Sequence, residues 1–154
     1  MKLAQSLALI ITGGASFVIP FALANIHVIQ WTALNGTETL IACPSEDYGC
    51  DCSPGGPYGA GVVSDDGAQL TSLPGPGGHF SVQSPFCGSN SSYYFYNNGT
   101  SGRWDIHVQS GTGSLQGNCY PNTESPTSTC ATSKGPGDDT VLHDQLVCYG
   151  ICDK

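Results

Sequence analysis

Basic side chains are nearly missing from this chain. Four of 154 residues are Lys or Arg, against twelve Asp and Glu, for a formal net charge of −8. A phosphate backbone is bound by clustered cations that displace its counterions. Lys2, Arg103, Lys134 and Lys154 are scattered, so neither nucleic acid nor an anionic membrane surface is an expected partner. Long apolar side chains are also scarce. After residue 24, Leu, Ile, Val and Phe make up about 17% of the residues, below the ~20% at which highly charged chains tend toward disorder. The sequence has no Gly-x-Ser-x-Gly elbow, His-Glu-x-x-His pair or phosphate loop. The chemistries that those motifs serve therefore have no support.

Cysteine is abundant, but only beyond residue 42. All eight, Cys43, Cys50, Cys52, Cys87, Cys119, Cys130, Cys148 and Cys152, lie there. Before them stands a positive start at Met1-Lys2, an apolar run over residues 7–21 and the small-x-small triplet Ala22-Leu23-Ala24. That order reads as a signal peptide over residues 1–24, cut before Asn25, followed by a single secreted domain over residues 25–154. The run is short and interrupted, and nothing after it is apolar enough to span a bilayer, so membrane insertion is not expected. An even cysteine count in an oxidising compartment predicts a disulfide framework, with 105 possible pairings for eight. Nine Trp and Tyr residues and the disulfides would supply the stability that a thin aliphatic core lacks. Asn35, Asn90 and Asn98 each begin an Asn-x-Ser/Thr glycosylation sequon.

The clearest local pattern lies between residues 79 and 109. HFSVQ alternates, with Phe80 and Val82 on one face. SYYFY is aromatic, a turn follows at Asn97-Asn98-Gly99, and RWDIHVQ alternates again. Together they predict a β-hairpin. NIHVIQW, from residue 25, suits a buried strand, and residues 37–42 a strand or a short helical turn. Residues 53–78 are rich in Gly and Pro breakers. Asp138 or Asp139 would cap a final helix with Val141, Leu142, Gln145, Leu146 and Tyr149 along one side, a strand being the alternative. The resulting class is α+β: a small disulfide-stapled domain with an antiparallel sheet and short helices.

Metal chemistry is not expected, and no cofactor is called for. Cys50-Asp51-Cys52 is too tightly spaced for a zinc or redox pair. Asp65-Asp66-Gly67 and Asp138-Asp139 lack a calcium-loop pattern and suit turns or caps. His27, His79, His107 and His143 are candidate acids or bases, but no catalytic set is identifiable, so the chain is not read as an enzyme. The aromatic hairpin is the best binding candidate. Sugars offer apolar C–H faces beside hydroxyls, which flat rings flanked by polar groups recognise. Tyr93, Tyr94, Tyr96 and Trp104 supply rings, and Asn97, Asn98, Arg103, Asp105 and His107 supply polar partners, with Tyr94, Tyr96, Asn97, Arg103, Asp105 and His107 as the candidate binding residues.

The start Asn-Ile-His-Val-Ile-Gln-Trp, the acidic cysteine-rich composition and the SYYFY…RWDIHV hairpin resemble small secreted fungal proteins. More narrowly, they resemble mushroom glycan-binding proteins of the αβα-sandwich type. The resemblance implies an antiparallel sheet covered by helices and a homodimer that extends the sheet. It also implies a lectin for glycans with N-acetylated amino sugars. The expectation is thus an extracellular lectin whose partners are glycans or glycoproteins. A secreted effector or toxin-like protein binding a protein partner is the alternative. A small secreted hydrolase such as a ribonuclease comes third.

Overall fold

A computed structural model describes residues 26–45, 50, 52, 61–83, 92–99, 102–108, 113–124, 127–130 and 140–151. Within them run ten strands: β1 Ile26–Thr32, β2 Glu38–Pro44, β3 Gly61–Asp65, β4 Ala68–Gln69, β5 His79–Gln83, β6 Ser92–Asn97, β7 Trp104–Val108, β8 Leu115–Pro121, β9 Thr127–Cys130 and β10 Thr140–Tyr149. Eight of them form a closed antiparallel barrel in the order β1-β2-β3-β5-β6-β7-β8-β10, with β10 returning to β1. The strand β4 adds to β3, and β9 adds to the first half of β10. Closure pairs both edges of every strand of the wall somewhere along its length, so the free edges among the described residues belong mainly to β4 and β9.

The α+β expectation is overturned. The described residues contain no helical layer, and the fold is all-β. The αβα sandwich fails with it. The final helix is instead β10, in which Leu142, Asp144, Leu146 and Cys148 are buried at every second residue. Leu142, Leu146 and Tyr149 do fall at helical spacing, which is how the two periods become confused. Pairing with β1 on one side and with β8 and β9 on the other decides for the strand. The stretch read over residues 37–42 likewise resolves as strand, from Glu38 onward in β2.

The hairpin prediction holds. Tyr93 opposes Val108, Phe95 opposes Ile106 and Asn97 opposes Trp104. The β3–β4 turn is Asp66-Gly67, with φ of 47° and 83°. Two-residue hairpins of type I′ need positive φ at both positions, which Asp-Gly tolerates best. The turn reading of Asp65-Asp66-Gly67 is thus borne out. Where β2 and β3 diverge, Leu70 bridges them: its carbonyl accepts from Leu40 N–H, and its own N–H donates to Val63.

The barrel interior is filled by Phe80, Phe95, Trp104, Ile106 and their neighbours. Phe80 stacks on Phe95 with ring centroids 4.5 Å apart and meets Trp104 at 4.9 Å. A smaller cluster joins Ile29, Ile41 and Leu142 to Cys43, Cys52 and Cys130. It is produced by a bulge. Val28 opposes Leu146 but Ile29 opposes Asp144, which leaves Gln145 without an opposite residue. The extra residue reverses the facing of β10 relative to β1. Leu146 and Cys148 therefore join the barrel interior, while Leu142 joins the second cluster.

Three disulfides are described: Cys43–Cys52, Cys50–Cys130 and Cys119–Cys148, at sequence separations of 9, 80 and 29. Loop-closure entropy gives them about 2.5 to 4.5 kcal/mol each, rising with loop length. Cys119–Cys148 is a cross-strand pair inside the barrel, and the other two cover the second cluster. Cys87, Cys152, Asn90, residues 1–24 and the capping residues Asp138 and Asp139 lie outside the described residues.

Candidate functional site

Strands β5, β6 and β7 alternate strictly, so their outward residues form rows across the wall. One row is Ser64, Ser81, Tyr94 and His107; the next is His79, Tyr96, Asp105 and Asn118. Tyr96 anchors the second row. His79 stacks on it at 5.8 Å with planes 23° apart, and His107 meets it edge-on at 5.5 Å. Beside these rings lies an open hollow of about 260 Å³, lined by Ser64, Asp65, Asp66, Gly67, His79, Ser81, Tyr94 and Tyr96. This is a little below the ~300–1,000 Å³ of pockets for drug-sized ligands. It suits one ring-sized unit.

The polar groups around the rings are held by one another. Arg103 Nε lies 3.1 Å from Asp105 Oδ1, and Asn118 Nδ2 donates to the same oxygen at 2.8 Å. His107 Nδ1 lies 2.8 Å from the Gly113 carbonyl. A carbonyl only accepts, so Nδ1 carries the proton and, in the neutral ring, Nε2 holds the lone pair. His79 Nε2 stands 3.3 Å from Asp65 Oδ1. The Ser64 and Ser81 hydroxyls are 3.4 Å apart. These contacts fix a ring-and-carboxylate surface before any ligand arrives.

Tyr94, Tyr96, Asp105 and His107, all named from sequence, share this outer face. Arg103 joins them through Asp105. Asn97 does not: it opposes the buried Trp104, and its Oδ1 accepts from Gly99 N–H in the turn. Sequence reasoning missed the half of the hollow built by β3, β5 and their turns. The alternation of HFSVQ already set His79 and Ser81 opposite Phe80 and Val82. What it lacked was the β5–β6 pairing that brings them to Tyr96 and Tyr94.

A second polar constellation lies on another wall. Asp144 is fully buried, and its Oδ2 accepts from His27 Nδ1 at 2.8 Å and from Asn122 Nδ2 at 2.7 Å. Asn122 N–H also donates to the carbonyl of Gln145, the bulge residue. The group ties β1, β10 and the segment after β8 around the bulge, which accounts for it structurally. Asn35 and Asn98 are exposed in hairpin loops, and Asn35 Oδ1 accepts from Thr37 N–H.

No protein-family model, characterised protein or solved structure matches the chain. The fold and the face define the class by themselves: a disulfide-bonded all-β barrel with an aromatic, acidic hollow on its outer wall.

Proposed function

We propose that the protein is a secreted lectin that binds glycans at the outer face of β5, β6 and β7. The reading rests on one observation above all: two half-buried tyrosines border an open hollow rimmed by two carboxylates, two serine hydroxyls and one imidazole. These rings stand outside the packed interior, which Phe80, Phe95 and Trp104 fill. Ring faces take the C–H face of a pyranose, and the rim takes its hydroxyls. The disulfides place the chain in an oxidising compartment, in keeping with export behind a signal peptide. The action is binding, with no cofactor. A homodimer would raise avidity for multivalent surfaces by effective concentration alone. The preference for N-acetylated sugars came only from the αβα resemblance. It lost its structural basis with that fold and is left to the array.

A glycan array, probed with the wild type and with Tyr94→Ala/Tyr96→Ala, tests the proposal. Binding to a defined subset of glycans that the double variant loses is the expected result. A blank array for the wild type would remove the lectin reading, and binding that survives both substitutions would remove the site.

A further inference from the structure

The charge of the hollow sharpens the glycan reading and rests on it. Two of the eight lining residues, Asp65 and Asp66, are acids, and none is Lys or Arg. The guanidinium of Arg103 is set against Asp105, and neither residue lines the hollow. The hollow therefore combines two carboxylates, one imidazole, two tyrosine rings and two serine hydroxyls, with no Lys or Arg on its walls. A sugar acid would meet like charge there. An N-acetyl group would bring a neutral amide to a site built around carboxylates.

We infer that the occupant is a sugar bearing a protonated amine, a glucosamine-type unit in preference to its N-acetylated or acidic counterparts. The ammonium makes charge-assisted hydrogen bonds to Asp65 and Asp66 and gains from the ring of Tyr94 beside them. Ser64 and Ser81 offer donors and acceptors to the neighbouring hydroxyls. Exclusion of anionic glycans follows from the same carboxylates acting as a repulsive element. The volume of about 260 Å³ limits the contact to one unit of a longer chain. A divalent cation is the competing occupant, because ligand atoms of Asp65, Asp66 and His79 lie within 4.8 Å of one another.

The test is calorimetric titration of the purified protein at about pH 5.5, where the sugar amine is protonated and exposed carboxylates stay ionised, with three β-linked tetramers: glucosamine, N-acetylglucosamine and a uronic acid, each with and without chelator. The glucosamine tetramer is expected to bind about tenfold tighter than the N-acetylated one, with the uronic acid weakest. Asp65→Asn/Asp66→Asn should lower glucosamine affinity about tenfold and leave that of the N-acetylated tetramer within about twofold. Asparagine tolerates positive φ, so the turn at residue 66 is kept. Equal or tighter binding of the N-acetylated tetramer overturns the inference. So does an unchanged double variant, or loss of glucosamine binding in chelator, which would give the carboxylates to a metal. Failure of all three tetramers overturns it as well. The lectin reading falls with it only if a broad glycan array is also blank.

Discussion

The inner and outer faces of β5, β6 and β7 are made from alternate residues of the same three strands, yet they answer to different demands. Inward, Phe80, Val82, Tyr93, Phe95, Trp104 and Ile106 are almost wholly removed from water. Their identities follow from volume and packing. Outward, His79, Ser81, Tyr94, Tyr96, Asp105 and His107 remain at least partly exposed; Tyr96 meets both imidazoles, and the polar groups bond to Ser64, Asp65, Arg103, Asn118 and the Gly113 carbonyl. Burial explains the first set completely. It leaves the second open: Tyr96 stands between two imidazoles and Tyr94 borders the hollow, both on a face turned to solvent. The difference separates what holds the barrel from what the barrel presents.

Inner-face substitutions should therefore damage stability and outer-face ones should spare it. The largest effect is expected for Phe95→Ala, which opens a cavity beside Phe80 and costs about 3–5 kcal/mol; urea unfolding followed by fluorescence measures it. Next comes Cys119→Ser/Cys148→Ser, which removes the interior staple and should cost about 3.5 kcal/mol by loop-closure entropy. Reduction of all disulfides should unfold the domain, with collapse of the near-UV circular dichroism. Asp144→Asn turns an amide donor or a weaker acceptor toward His27 and Asn122 in a buried site, and should cost about 1–3 kcal/mol. At the small end, Asp105→Asn on the outer face should change stability by less than about 1 kcal/mol, as expected of a partly exposed ion pair. A cost above that of Asp144→Asn would erase the distinction between the faces.

Much of this wall was legible in the sequence, and the reasons are local. Alternation in HFSVQ, SYYFY and RWDIHVQ, with Asn-Gly between the last two, is set by the two-residue period of a strand and the chemistry of a turn. Four of the six predicted site residues fell on the outer face for that reason. Asn97 lies off that face, because its position opposite Trp104 depends on register. Barrel closure was not legible, since it depends on β1 meeting β10 across more than a hundred residues. The bulge at Gln145 hid the strand further. It sends Leu142 and Leu146 into different clusters, which no single period describes. The disulfide pairing was equally a matter of tertiary contact. The Asp65–His79 side of the hollow needed the same long-range pairing that the eye cannot take from a run of Gly and Pro.

The central claim is that the outer tyrosines serve binding and not the fold. Tyr96→Ala tests it most directly when glycan affinity and unfolding free energy are measured on the same preparation. The account predicts that affinity for whichever array-positive glycan is chosen falls at least about tenfold, the scale of one lost stacking contact. It also predicts that stability changes by no more than about 1 kcal/mol. Unchanged affinity combined with a stability loss of about 3 kcal/mol or more, the scale of an emptied core position, would contradict it and make Tyr96 a packing residue.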